Sequence, residues 1–461
     1  METATVGMPS EESFDLVVIG AGTAANSVAR ACSGAGWKVA IVDSLPYGGT
    51  CALRGCDPKK MLVGATEALD WTRRMGGRGV RATGVEIDWT ELIAFKRTFT
   101  DVMPDRVEGG LEKAGVVTLH GAAHFVSPDV VRVGDRDLRA RYVHIATGAR
   151  PATLGIPGED LLITSTEFLN LESLPDRITF VGGGFISFEF AHIARRAGAS
   201  KVTILHRGER PLPAFDPDLV NLLVERTREL GIEVRFPACV DEIAAEGSGL
   251  RVVMSTPEGS DSLECDAVVH GAGRVPNLDE LNLDVANVEH GPRGIKVSSS
   301  MRSVSNPAVF SAGDCADTPA PNLTPVSAYE ARIAFKNLLA EEDERQVNYP
   351  AIPSMVFTLP PVGRVGLLEE EARQRGLDIE VHFQKTGYWY SSLRVAESHS
   401  AYKVLVDKSN GQVIGAHLMG PGAEEQLNLL TLAMNAGLSA NQIKAAIFAY
   451  PSYASDLGSM V

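Results

Sequence analysis

One local pattern occurs twice in this chain and restricts its fold more than any other feature. Phe14-Asp15-Leu16-Val17-Val18-Ile19 is a short apolar run that reads as a buried parallel strand. Gly20-Ala21-Gly22-Thr23-Ala24-Ala25 follows, then a helical stretch from Asn26 to about Gly34. A second strand, Lys38 to Val42, ends in Asp43, 23 residues after Gly20. The order returns further on. Ile178-Thr179-Phe180-Val181 reads as a strand, Gly182-Gly183-Gly184-Phe185-Ile186-Ser187 as a glycine turn, Phe188 to Ala197 as a helix and Lys201 to Leu205 as a strand. Glycines between a strand and a helix let the backbone approach a pyrophosphate at the helix N-terminus. Gly20, Gly22 and the small Ala25 fill the three key places in the first copy, and Gly182, Gly184 and Ser187 in the second. Asp43 stands where an acid binds a ribose hydroxyl.

Two such folds imply two dinucleotides, one held as a prosthetic group and one used as a hydride source. The second copy ends differently from the first. Its strand closes on His206-Arg207, with Arg210 nearby, where an acid would accept the 2′-hydroxyl of NADH. Cations suit a 2′-phosphate, so the strand end predicts NADPH over NADH, the alternative being a solvated basic turn.

At 461 residues the chain has room for about three domains. A net charge of −15 weighs against nucleic acid or an anionic membrane as the main partner. The first thirteen residues hold three acids and no base, which fits a disordered leader over 1–13 rather than a signal or transit peptide. No apolar run approaches the ~18–20 residues of a membrane helix, so a cytoplasmic location is expected.

Between the two patterns lies Gly48-Gly49-Thr50-Cys51-Ala52-Leu53-Arg54-Gly55-Cys56-Asp57-Pro58-Lys59-Lys60. In an ideal helix two cysteines five apart have Cα atoms roughly 8–9 Å apart, too far for a disulfide. A bond would need a distorted first turn, for which Gly55 and the preceding glycines give latitude. Arg54 and two lysines would favour a thiolate. The stretch reads as a redox-active dithiol or, more blandly, as two buried hydrophobes. A metal site is not expected, because Cys32, Cys239, Cys265 and Cys315 are scattered and form no second pair.

The rest of the chain is read more coarsely. Trp89 to Leu111 has a helical pattern, and Val116 to Val133 looks like short strands. Arg141 to Ala146 is an apolar strand ending at Thr147-Gly148. Cys265 to Gly273 leads into Arg274, Ala308 to Asp314 is a strand ending in an acid, and Leu323 opens a helix running to about Ala340. From Tyr349 strands, Pro-rich turns and two late helices suggest a separate α+β domain.

Taken together these residues resemble the pyridine nucleotide-disulfide oxidoreductases, the group of glutathione reductase, dihydrolipoamide dehydrogenase and mercuric reductase. The resemblance runs from Phe14 onward, with Gly48 to Lys60 matching the family signature. It implies an α/β chain with two Rossmann-like domains, for FAD and NAD(P), and a C-terminal α+β dimerisation domain. The FAD-binding and central domain would cover 14–150 and 276–345, the NAD(P) domain 151–275 and the dimerisation domain 346–461. Gly20, Gly22, Ala25, Asp43, Gly49, Thr50, Thr147, Gly148, Arg274, Gly313 and Asp314 would then serve FAD. Gly182, Gly184, Ser187 and Arg207 would serve NADPH. Cys51 matches the interchange thiol, Cys56 the charge-transfer thiol, and Lys60 with Glu189 an ion pair near the flavin. Electrons would pass from NADPH to FAD to the Cys51–Cys56 disulfide and on to a small-molecule acceptor, in a homodimer.

The chain departs from the family at its C-terminus. Where disulfide reductases carry an acid/base His and its Glu, this chain has Tyr450 and Ser455, with Asp456 one residue out of register. A tyrosine near pKa 10 is a poor base at neutral pH, and loss of a general acid/base costs about 10²–10⁴-fold. The expected acceptor is therefore an uncommon disulfide, a metal ion or a quinone-like molecule, with Tyr450 orienting it. Mercuric reductases also use tyrosines there, but no Cys-Cys pair follows Tyr450. The alternatives are an ordinary glutathione-type reductase and a non-catalytic redox sensor.

Overall fold

The computed structural model describes residues 10–461, which form two compact units. The first is built from 10–59, 95–152 and 274–348, the second from 60–94, 153–273 and 349–461.

The core of the first unit is a seven-stranded sheet. β1 (Ser10–Ile19), α1 (Thr23–Gly34) and β2 (Val39–Asp43) are followed by α2 (Gly49–Arg54) and by α3 (Cys56–Arg74), which leads out of the unit. β3 (Val117–His120), β4 (Ala123–Ser127), β5 (Val130–Val133) and β6 (Arg136–Ile145) complete the order β3-β2-β1-β6-β5-β4, and strand Val309–Ser311 adds to β6. β1 lies parallel to both β2 and β6, so residues Leu16 to Ile19 are buried on both faces, which is why they read as an unbroken apolar run.

β1 corrects the expected leader. The strand begins at Ser10, and Ser10–Ser13 pair with Arg136–Arg139. Arg136 also donates to the Glu12 carboxylate at 2.6 Å. Polar residues here extend a sheet beyond its apolar core. The remainder of the predicted leader, residues 1–9, lies outside the described residues. The helix expected over Trp89 to Leu111 is two, Trp89–Thr100 and Met103–Lys113, because Pro104 opens the second with no amide to give to the first.

In the second unit, β7 (Arg177–Val181), α4 (Phe185–Arg196), β8 (Lys201–Leu205), α5 (Pro217–Glu229), β9 (Ile232–Arg235) and β10 (Ala267–His270) form a parallel sheet in the order β9-β8-β7-β10. β10 is shorter than expected because Cys265 belongs to a separate antiparallel strand, Gly259–Cys265. Beyond Tyr349 an antiparallel sheet of five strands carries the helix Ala423–Asn435 on its face. The segment 60–94, expected with the first nucleotide domain, packs with this second unit. Among the described residues no helix is long and apolar enough to cross a membrane.

Candidate active site

The first glycine turn is made of backbone and very little else. Gly20 has φ +105°, and a Cβ on it would lie 2.3 Å from the Ala146 carbonyl oxygen. Gly22 takes the N-cap place of α1 and has no side chain to cap it, so the helix N-terminus is left open to an anion. Asn26 donates to the carbonyls of Ala21 and Gly22 at 2.8 and 3.0 Å, holding the turn from inside the helix. Asp43, at the end of β2, accepts the Ala21 amide at 2.7 Å through one oxygen and the Leu45 amide at 2.8 Å through the other. Burial raises its pKa, while those two amides and the Arg54 charge oppose the rise. Ala25 is fully buried, where a small residue lets helix and sheet approach.

The thiol segment is docked on this turn. A Cβ on Gly49 would sit 2.4 Å from the Gly22 Cα, so two backbones touch where side chains would separate them. Gly55 interrupts the helix between α2 and α3, and a Cβ there would meet the Thr50 carbonyl at 2.9 Å. This break brings the two free thiols, Cys51 and Cys56, within hydrogen-bonding reach, as an unbroken helix would not. The pair is polarised. The hydrogen bond from Cys51 lowers the Cys56 pKa to about 6 against the cost of burial, with help from Thr324 and the Lys59 charge. Donating that bond raises Cys51, and burial adds to the rise. Cys56 is thus the thiolate of the pair at neutral pH, and Cys51 keeps the proton.

Thr324 is absent from the sequence-based site. Its hydroxyl lies 3.7 Å from the Cys56 sulfur. It is the first residue of helix Thr324–Ala340, whose N-cap Leu323 offers no capping side chain. The helix N-terminus therefore adds its positive end to the thiolate's surroundings. Arg54, expected to favour the thiolate, instead interacts with Asp43 and Arg274.

The expected Lys60–Glu189 pair is corrected. The Lys60 ammonium is half exposed, 3.2 Å from Glu67 and 4.5 Å from the centre of the Phe357 ring. Glu189 is buried and accepts the Phe357 amide at 2.7 Å. The buried lysine of the motif is Lys59, the one whose charge stabilises the Cys56 thiolate. Helix periodicity decides between them. Lys59, Leu62, Val63, Thr66, Leu69 and Asp70 form the buried stripe of α3, while Lys60 and Glu67 lie off it.

The other first-unit residues gather at the C-terminal ends of the strands. Gly148, with φ +68°, lies three residues past the end of β6, and strand Ala149–Pro151 pairs with Arg274–Pro276. Arg274 donates to the Ala149 carbonyl and is attracted to Asp314. Burial lowers the Arg274 pKa and raises that of Asp314, and each charge opposes the other's shift. The Gly313 amide is held by Glu330 at 2.8 Å. Thr50 is exposed, and Thr147 is half-buried.

In the second unit Gly182 has φ +108°, and a Cβ there would come within 2.3 Å of the Gly271 carbonyl oxygen. Gly184 is the side-chain-free N-cap of α4. The buried Ser187 takes the third place, leaning on Gly271, where a Cβ would meet its Oγ at 2.1 Å. Arg207 is exposed just past β8. His206 is turned inward, against the Gly183 amide. At the C-terminus Tyr450 is 81% exposed. Ser455 donates to the Ser452 carbonyl, and Asp456 accepts from Ser391.

The two backbone cradles leave no room for a side chain at Gly20 and Gly182 and end in open helix N-termini, so they fit dinucleotides. With a polarised dithiol docked on one of them, they define a flavin- and nicotinamide-type oxidoreductase. The chain belongs to the pyridine nucleotide-disulphide oxidoreductase family, whose profile matches residues 14–331, with its dimerisation domain over 352–461. The family is FAD-dependent and uses a pyridine nucleotide. The chain is 34% identical to a glutathione reductase of Burkholderia cepacia, over 96% of this chain and 97% of that protein. It is 29% identical to a mercuric reductase of Bacillus cereus, covering 96% and 70% of the two chains. Among solved structures it resembles the HOCl-induced flavoprotein disulfide reductase RclA of Escherichia coli (TM-score 0.86, 27% identity, 97% and 99% covered). A Cu(II) complex of RclA is equally similar (TM-score 0.86, 27% identity, 96% and 99% covered).

Proposed function

We propose that this protein is a cytoplasmic, homodimeric, FAD-bound reductase that oxidises NADPH and delivers the electrons, through Cys51 and Cys56, to a thiophilic metal cation such as Cu(II). The observation that carries this reading is the polarised thiol pair, with Cys56 as thiolate and Cys51 as thiol. FAD, when bound, supplies the relay between a two-electron hydride donor and the thiol pair. The backbone at Gly20, Gly22 and Gly49 would hold its pyrophosphate, and Asp43 its ribose. Lys59, Thr324 and the open end of helix Thr324–Ala340 favour the ionised Cys56, while Cys51, the interchange thiol of the family, would meet the acceptor. On returning to the disulfide the thiol–thiolate pair loses two electrons and the one proton held by Cys51, and two Cu(II) ions would take one electron each.

Such an acceptor binds sulfur directly and leaves no thiol that must be protonated. Tyr450 at the family's histidine place then suffices, as a side chain that orients substrate. Resemblance to a copper complex of RclA supports this class of acceptor. The exposed Arg207 supports NADPH as donor. A second reading, reduction of glutathione disulfide, is favoured by the similarity to the Burkholderia enzyme. Steady-state NADPH oxidation with Cu(II), Hg(II), a quinone and glutathione disulfide separates the two. Saturable turnover with Cu(II), at least tenfold above that with glutathione disulfide, is expected, and rapid glutathione disulfide turnover would sink the proposal.

A further inference from the structure

His206 stands where the second nucleotide fold would carry an acid, yet both its ring nitrogens are engaged by backbone groups. Its Nδ1 lies 3.1 Å from the Gly183 amide, the central N–H of the glycine turn. Its Nε2 lies 2.9 Å from the Arg210 carbonyl. Both partners are backbone groups, so the roles are fixed: an amide can only donate and a carbonyl only accept. Nδ1 must be the acceptor, Nε2 must carry the proton, and the ring must be neutral.

Two glycines make room for it. A Cβ on Gly183 would lie 2.6 Å from the His206 Cγ, and a Cβ on Gly208 would lie 2.9 Å from its Nε2. A further backbone bond, Leu212 amide to Gly183 carbonyl at 2.8 Å, closes the same connection. The imidazole thus ties the glycine turn to the basic turn that bears Arg207 and Arg210.

We propose that His206 is a positioning residue for nicotinamide-dinucleotide binding: in its neutral form it braces the phosphate-cradling glycine turn against the basic turn, and its protonation releases that brace. This rests on reading Gly182–Ser187 as the nicotinamide-dinucleotide site. A protonated Nδ1 would point N–H at N–H and break the Gly183 bond. Burial holds the His206 pKa below its ordinary value, opposed by the Arg210 carbonyl and aided by the Arg207 charge. From β9, Arg235 lies alongside through its carbonyl, with its guanidinium held by Glu233 and Asp261. The glycine turn itself brings no titratable group. The brace is therefore complete at neutral pH and is lost as pH falls through a value below ~6.5.

The test is calorimetric binding of NAD⁺ and of NADP⁺ to the FAD-loaded enzyme, between pH 5.5 and 8. NAD⁺ has no 2′-phosphate to titrate. His206→Leu should raise Kd for both nucleotides about 3- to 10-fold at pH 7.5, the effect of losing a hydrogen bond. His206→Asn, whose carbonyl oxygen can take the Gly183 amide but cannot be protonated, should stay close to wild type. It should also lose the weakening of NAD⁺ binding that wild type shows in acid. An unchanged Kd in His206→Leu, or an acid limb retained in His206→Asn, overturns the brace. If His206→Leu does not fold, the His206→Asn pH profile alone decides. A wild type that binds neither nucleotide would instead overturn the site reading on which the brace depends.

Discussion

The two glycine turns solve one backbone problem with different side chains. In the first, the amide after the leading glycine, Ala21, is accepted by Asp43 at the end of the next strand. In the second, the equivalent amide, Gly183, is accepted by His206 at the end of its next strand. Both turns thus have their leading amide taken by a side-chain acceptor from the end of the next strand. What differs is the capacity left over. A carboxylate has about four acceptor sites, so Asp43 can hold two amides and still accept ribose hydroxyls. A neutral imidazole has one acceptor and one donor, and His206 has used both. Under the proposed function, recognition at the second ribose then falls to the exposed Arg207 beside it.

That contrast is open to attack from several sides. The largest effect should come from the glycines whose positive φ both turns share. Gly182→Ala puts a methyl group against the Gly271 carbonyl and should lower kcat/KM for NADPH by about 10²-fold, with FAD content unchanged. Gly20→Ala should do the reverse, yielding protein with little bound FAD by its visible absorbance. If each change affected both nucleotides equally, the turns would not be separate sites. Arg207→Ala should cost about 10- to 100-fold in kcat/KM for NADPH and leave NADH little changed, as expected for one charged hydrogen bond to phosphate. Wild-type values that are equal for the two donors would end the assignment. Asp43→Asn comes next in size. One amide acceptor is kept and the other replaced by a donor facing the Leu45 amide, so FAD affinity should fall about 5-fold, read from flavin release on dilution.

How far these features could be read in advance depends on what carries them. Both turns were legible because Gly20, Gly22, Gly182 and Gly184 encode backbone geometry directly. Thr324 was not, because it meets Cys56 across 268 residues of sequence and only tertiary structure joins them. The identity of the buried lysine was legible in principle: Lys59 leads a stripe of apolar residues at helical spacing, and a resemblance to a motif passed over that periodicity. The start of β1 at Ser10 was hidden because Ser10, Glu11 and Glu12 have no apolar alternation to mark a strand. The His206 brace was out of reach of sequence, since the tautomer follows from two backbone partners that the fold supplies.

The first turn also bears something the second lacks, the thiol segment docked through Gly49, and the smallest expected effect tests that asymmetry. Cys56 is lowered to about 6 and Cys51 is raised, so a single thiolate should account for reactivity in the reduced enzyme below pH 8. For a thiol of depressed pKa the anion is present above the folded value and disappears as pH falls through it. Alkylation of the reduced enzyme by iodoacetamide should therefore follow one titration with a midpoint near 6, against about 8.5 for a free thiol. Lys59→Met removes the nearby positive charge and should move the midpoint up by about one unit. Lys60→Met should leave it in place, because that ammonium is turned to Glu67. Equal shifts in the two variants would return the role to both lysines. A midpoint near 8.5 in wild type would remove the polarised pair, and with it the distinction between the turn that holds the thiols and the turn that does not.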